Sequence, residues 1–375
     1  MEYATGNKID IKKANRNRIY KLIYEEGKIS KPEIALRLGI SIPTAMQNVK
    51  SLMEEGLVKE GESLESTGGR KAVAITCMDD ARYAIGINIT MSDISMVLID
   101  LKAKIIAEHR LEKEFQNINE YFKAVGNAVN EMIVTSGIEK NKILGAGISC
   151  PGVFSEDAQI LIYSHALKIS GLQCLSFQNY ISFPCVFCND ANAAGIAEMW
   201  NRKDIKNALY LALNNTVGGS MILDHKLYYG ENQRCGEFGH MTLVEDGIPC
   251  YCGKKGCVDS YCSARVLSTH TDGDLNQFFY ELKNDKKEIG VVWEKYLDKL
   301  SVVVSNLFLA LDSKIILGGT VGAHMDEYMN EIKTRVEEQS LFVGSEHNII
   351  ACNYKNEASA VGAGLLYIKP FINNI

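Results

Sequence analysis

The sequence lacks any uninterrupted apolar run approaching the roughly 18 residues of a membrane span, and its start, Met1 to Asp10, lacks the apolar core of a signal peptide. These absences predict a soluble, cytoplasmic protein with no membrane among its partners. It also lacks the bias of disordered or fibrous chains: 46% of its 375 residues are apolar and 23% charged, enough to bury large cores in two or three compact units. Cysteine is not scarce, but eleven is an odd count in a large chain, which favours reduced thiols or metal ligands over a disulfide framework. Overall charge is only −6, yet residues 1–50 carry ten Lys/Arg against five Asp/Glu, leaving +5 there and −11 over the rest. Such a split can mark a basic nucleic-acid-binding arm on an acidic body.

The first 56 residues read as three helices. Ile11, Ala14, Ile19, Leu22 and Ile23 recur at helical spacing until Gly27. Ser30 with Glu33 forms a capping box ahead of a helix ending at Leu38, and after the Gly39-Ile40 turn Ser41 caps a third helix with Pro43 just inside. Two helices joined by a short turn containing Gly are the helix-turn-helix signature. Residues 57–76 read as a hairpin wing tipped by Ser66-Thr-Gly-Gly-Arg70, so 1–78 forms one unit, ending at a linker near Asp79-Asp80. From Tyr83 strands and helices alternate in two similar halves, each a three-stranded meander followed by helix-linked strands. This predicts an α/β body of two lobes, 79–187 and 188–375, with a cleft between them and the small-residue helix Ala358–Ile368 packing back on the first lobe.

His240, Cys250, Cys252 and Cys257 form the spacing H-x9-C-x-C-x4-C, with Gly253 and Gly256 allowing sharp bends. Three thiolates and an imidazole are a closed tetrahedral zinc set, structural because no position stays open for water, and one zinc per chain is expected. Neither common ferredoxin spacing occurs, and three buried free cysteines are the bland alternative. Cys235 and Cys262 fit the spacing less well and read as packing. Close by in sequence stand Glu237 and Asp259, while Asn189-Asp190 closes a short strand and opens a helix at the cleft, where a carboxylate can take a proton from a hydroxyl. Asp190 as an ordinary helix N-cap is the competing reading.

Gly236-Glu-Phe-Gly-His240, Cys250-Tyr-Cys-Gly-Lys-Lys-Gly-Cys257, Asn189-Asp-Ala-Asn-Ala-Ala194, Ser149-Cys-Pro-Gly152 and Ile316-Leu-Gly-Gly319 resemble the motifs of the ROK family of sugar kinases and sugar-responsive repressors. The helix-turn-helix followed by Ser66 to Arg70 resembles its repressor branch, of the xylose and N-acetylglucosamine repressor type. The resemblance implies an actin-like, ribonuclease-H-like two-lobed body behind an N-terminal winged helix-turn-helix, with a sugar between the lobes. By it, Gly152, Asn189, Asp190, Glu237, His240 and Asp259 bind the sugar, His240 serving zinc on one ring nitrogen and sugar on the other. Asp190 would be the base in an active kinase.

Departures from the pattern argue against an enzyme. Family kinases carry Asp-x-Gly-Gly-Thr where this chain has Asn88-Ile-Thr-Met-Ser92, and their second glycine-rich loop reads Asn214-Asn-Thr-Val-Gly-Gly-Ser220 here. The amides that approach phosphate and the acid that helps hold magnesium are thereby altered, leaving Asp190 a vestigial base. Ala166-Leu167 replaces an Asn-Leu pair and Asp259 a glutamate, which should alter the sugar accepted. In the third helix Ser41, Pro43, Thr44, Gln47, Asn48 and Lys50 are expected toward DNA, and Arg70 toward a minor groove. The expected protein is a sugar-responsive repressor acting as a homodimer or dimer of dimers on a palindromic operator. The alternatives are a ROK-type ATP-dependent sugar kinase retaining a DNA-binding domain, and a repressor governed by another protein.

Overall fold

The computed structural model describes residues 3–63 and 72–375. Helix α1 (Tyr3–Glu26) leads through the two-residue strand β1 (Ile29–Ser30) into α2 (Lys31–Leu38) and α3 (Ile42–Glu54), and β2 (Val58–Ser63) pairs antiparallel with β3 (Val73–Cys77). The boundaries follow local chemistry. Ser30 Oγ accepts from the Glu33 N–H at 3.3 Å and Ser41 Oγ from the Thr44 N–H at 3.2 Å. Only this half of the capping box forms, because the Glu33 carboxylate turns outward to Arg37 at 2.8 Å. The wing tip, with Ser66 and Arg70, lies outside the described residues.

The first lobe is built on β4 (Tyr83–Ile89), β5 (Asp93–Asp100), β6 (Ile105–Glu112), helix α4 (Asn119–Ser136) and β7 (Ile143–Cys150). Strands β8 (Val153–Phe154), β9 (Ile160–Ser164) and β10 (Ile169–Gln173) make a small second sheet before α5 (Leu175–Gln178) and β11 (Cys185–Asn189). Helix α6 (Asp190–Trp200) then crosses to β12 (Ala208–Leu213), β13 (Val217–Leu223) and β14 (Lys226–Tyr228). Beyond a long loop come α7 (Asp259–Cys262), α8 (Ala264–Ser268), α9 (Leu275–Lys283), α10 (Lys287–Leu311), β15 (Lys314–Gly318), α11 (Gly319–Gly322), α12 (Met325–Gln339), β16 (Ile349–Ala351) and α13 (Ala358–Asn373). The main sheets run β6-β5-β4-β7-β11 and β14-β13-β12-β15-β16. Each is a three-strand antiparallel meander extended by two parallel strands, the duplication expected from the sequence.

Helix α13 holds the molecule together. A Cβ on Gly86 of β4 would stand 1.7 Å from the Ala360 carbonyl oxygen, and one on Gly362 would stand 1.8 Å from that of Ala193 on α6. Backbone contact this close tolerates only glycine, and it wedges α13 between the first-lobe sheet and α6. The far end of α13 meets the helix-turn-helix: Ile19, Tyr20 and Ile23 of α1 belong to one apolar cluster with Val97 and Ile99 of β5 and with Leu365, Ile368 and Ile372. Asn17 Nδ2 donates to the Ile372 carbonyl at 3.0 Å and the Tyr24 hydroxyl to that of Leu101 at 2.7 Å. The expected linker is instead a 3-10 turn, Asp79–Ala81, whose Asp79 carbonyl accepts from the Leu101 N–H at 3.0 Å. Among the described residues no helix is long and apolar enough to cross a membrane.

Candidate functional site

A cleft of about 830 Å³ opens between the lobes, walled by Gly152, Tyr163 and His165 on one side and by Glu237, His240 and Tyr251 on the other, with Asn189 and Asp190 between. Strand β11 ends and α6 begins at this place, so the junction fixes both polar side chains. Asn189, not Asp190, is the helix N-cap: its Oδ1 accepts from the Asn192 N–H at 3.0 Å, while its Nδ2 donates to the Gly152 carbonyl at 3.3 Å. Asp190 is thereby relieved of capping and presents its carboxylate to the cleft. Burial pushes its pKa up to about 6, opposed by the backbone N–H groups of Ala191 and Asp190 and assisted by the charge of Glu237.

Asp259 stands apart from this wall. It is only 2% exposed, and its two oxygens accept from the Val217 N–H at 2.6 Å and from Arg265 at 3.2 Å, so it anchors the start of β13. Burial raises its pKa, with those two groups and His240 pulling it back down. It does not line the cleft.

The ligand atoms of His240, Cys250, Cys252 and Cys257 all lie within 4.8 Å of one another. Cys250 Sγ is 3.8 Å from His240 Nδ1, and Cys252 Sγ 3.7 Å from Cys257 Sγ. A tetrahedron with donors about 2.3 Å from its centre has edges of about 3.8 Å, so the cluster is dimensioned for a thiolate-bound metal. Desolvation disfavours the Cys252 thiolate, but the Lys254 N–H and hydrogen bonds to Cys250 and Cys257 outweigh it and lower that thiol's pKa; desolvation and Cys252 push Cys257 up to about 12. Cys235 and Cys262 stand outside the set, Cys235 against the Met221 sulfur at 3.9 Å and Cys262 fully buried.

With Nδ1 facing the cysteines, His240 turns Nε2 toward the cleft, 3.2 Å from the Tyr251 hydroxyl. The Tyr251 ring stands edge-on to His240 at 5.3 Å and to His165 at 6.1 Å, and His165 in turn meets Tyr163 at 5.0 Å. An aromatic bridge thus joins the metal loop to the β9–β10 turn across the cleft. Sequence reasoning missed Tyr163, His165 and Tyr251; the signal for Tyr251 was its place between two of the cysteines.

The two stretches expected to stand where the family's kinases carry phosphate loops make hydrogen bonds within the chain. In the β4–β5 turn the Thr90 N–H donates to the Asp93 carbonyl at 2.9 Å, and the N–H groups of Ser92 and Asp93 donate to Thr90 Oγ1 at 3.2 and 3.0 Å. Asn88 Oδ1 lies 3.0 Å from Ser149 Oγ. Asn214 Oδ1 accepts from the Thr320 N–H at 2.8 Å, at the start of α11.

On α3 the outward face is Ser41, Ile42, Pro43, Met46, Gln47 and Lys50, with Thr44 half-buried. Ser41 and Thr44 engage each other through their hydroxyls at 2.8 Å, and Lys50 lies 3.8 Å from Glu54. Asn48 departs from expectation: it is 2% exposed, its Nδ2 donating to the Thr44 carbonyl at 2.8 Å, because its place on the helix turns it inward beside Val49 and Leu52. Arg70 cannot be placed, as it falls in 64–71.

The model of the ROK family matches residues 84–369, and that of the winged helix-turn-helix DNA-binding family matches 13–59. The chain is 25% identical to the xylose repressor of Bacillus spizizenii, each chain covered to 97%. It is 22% identical to the DNA-binding transcriptional dual regulator NagC of Escherichia coli, with 99% of this chain and 96% of that one covered. Among solved structures, a ROK family transcriptional regulator homologous to the Mlc protein of Escherichia coli superposes with a TM-score of 0.74 at 18% identity, covering 97% of both chains. A ROK family glucokinase from Streptomyces griseus, in complex with glucose and AMPPNP, superposes with a TM-score of 0.67 at 20% identity, over 76% of this chain and 99% of that one.

Proposed function

Because the chain belongs to the ROK family, we propose that it is a sugar-responsive transcriptional repressor whose interlobe cleft governs the hold of its winged helix-turn-helix on operator DNA. The names of its repressor relatives support this reading, as do the two matched models. The observation that carries it is continuity: α6, whose first residue Asp190 faces the cleft, packs against α13, and α13 shares a core with α1 of the DNA-binding unit. Units 1–78, 79–187 and 188–375 are then a DNA-binding domain and two lobes closing on the effector.

In the cleft, Asn189 is held by its capping role, Asp190 and Glu237 accept from sugar hydroxyls, and His240 Nε2 donates. Asp259 acts at one remove, fixing the β13 edge. The donor set of His240, Cys250, Cys252 and Cys257 supports one structural zinc per chain; when bound it would close the loop and set the His240 tautomer. A sugar that favours one lobe closure shifts the population away from the arrangement in which two cytoplasmic protomers span a palindromic operator.

The test is a thermal-shift screen over sugars, beginning with xylose, N-acetylglucosamine and glucose, since a ligand of the folded state raises its melting temperature by mass action. The reading expects one sugar to do so, and Asp190→Ala to abolish the effect. The second reading, an ATP-dependent sugar kinase, is favoured by the Asp190 pKa near neutrality. A coupled MgATP assay over the same sugars separates the two, and no turnover above background is expected.

A further inference from the structure

The outward face of α3 is not the polar surface expected of a solvated helix. Ile42 is 52% exposed and Met46 51%, and they stand four residues apart, one above the other. Pro43 joins them on the neighbouring ridge, followed by Gln47 and Lys50. Ser41 and Thr44 are engaged with each other and Lys50 lies 3.8 Å from Glu54, so the polar reach of this face is Gln47 and an exposed Lys50 that must leave that ion pair. The apolar residues that build the unit, Ala45, Val49 and Leu52, are fully buried on the opposite side. The unit has a filled core, and of the large aliphatic side chains it leaves exposed, Leu36 on α2, Val73 on β3, and Ile42 and Met46, the last two stand on α3. This is the second helix of the helix-turn-helix, which in that fold enters the major groove.

In the major groove the apolar feature of a base pair is the thymine C5-methyl group, while the adenine paired to it offers N7 and N6 to a side-chain amide. We propose that Met46 and Ile42 read thymine methyls in each operator half-site, with Gln47 on a neighbouring adenine and Lys50 on phosphate, so that this repressor selects A·T pairs chiefly by apolar contact. The proposal rests on the DNA-binding reading above and adds the chemistry by which the sequence is recognised.

The experiment first selects a preferred duplex from a random pool with the full-length protein by gel shift. Thymines of that duplex are then replaced one at a time by deoxyuridine, which deletes only the methyl group. Binding should weaken by roughly fourfold at one or two thymines per half-site, as burial of one methyl implies. Met46→Ala or Ile42→Ala should weaken binding to the thymine duplex and show no further loss with deoxyuridine at the matching position, the signature of a coupled pair. Both side chains are exposed, and unchanged melting temperatures of the variants confirm their folding. Deoxyuridine tolerated at every position overturns the proposal, and so does a loss that persists unchanged in both variants. Weaker self-association of Met46→Ala with no deoxyuridine effect would make this face an interface between two copies and equally overturn it. If no duplex is enriched at all, the DNA-binding reading itself fails, a different result from enrichment without methyl dependence.

Discussion

At the scale of single residues, two side chains carry most of the chemistry. Cys252 completes a His/Cys cluster whose ligand atoms lie within 4.8 Å of one another, close enough to hold a metal ion. Cys252→Ser should lower bound zinc from about one per chain and lower the melting temperature, because metal binding is folding free energy in a closed site; metal analysis beside a thermal melt checks this, and a metal-free parent of unchanged stability would refute it. Asp190 is held above its ordinary pKa of 3.8, at about 6, by burial. The folded chain then retains a proton that the unfolded chain releases between those values, so stability falls as pH rises through that window. Asp190→Asn should be more stable than the parent at pH 7 by on the order of 3 kcal/mol, the difference vanishing below about pH 4. Parallel stability curves from pH 4 to 7 would contradict it. The His/Cys cluster was legible because its members are close in sequence, whereas the inward turn of Asp259 was not, since its partner Val217 is 42 residues away. Asn48 misled for a related reason: its polarity spoke for solvent, and only its bond to the carbonyl one turn back accounts for its burial.

At the scale of elements, caps and closures speak plainest. Both serine caps of the helix-turn-helix were readable because capping is decided within three residues. The small sheet β8–β10 escaped notice because its strands are two to five residues long and largely exposed, so they carry no clear apolar period. The β4–β5 turn, expected from the sequence to stand where the family's kinases carry a phosphate loop, closes on itself through Thr90 and Asp93, with the amides of Thr90, Ser92 and Asp93 engaged. Thr90→Gly alone should therefore confer no MgATP-dependent phosphorylation of any sugar, because Asn88 still lacks the carboxylate that helps hold magnesium; turnover in a coupled assay would contradict this. Helix α13 is the opposite case, a close fit with no slack. Gly362→Val would drive its side chain into the Ala193 carbonyl and should cost about 1–3 kcal/mol or more, read as a lower denaturation midpoint.

At the scale of the whole molecule, the two-lobed duplication was visible in the repeated order of strands, but the union of the DNA-binding unit with the body was not. The sequence suggested a linker at Asp79-Asp80, where the fold places a turn pinned to Leu101 and an apolar cluster running from α1 into α13. Removing residues 1–78 would strip cover from Leu365, Ile368 and Ile372, so point changes at Gln47 and Lys50 test DNA binding more cleanly than truncation. This shared core also makes the proposed coupling measurable, since any influence of the cleft on the DNA-binding unit must be matched by an equal influence in return. The most direct measurement is a gel-shift titration of the selected duplex with and without the sugar that raises the melting temperature. The account predicts that this sugar weakens duplex binding by about fivefold or more, and that the duplex weakens sugar binding by the same factor. A sugar that binds the cleft and leaves duplex affinity unchanged would contradict it.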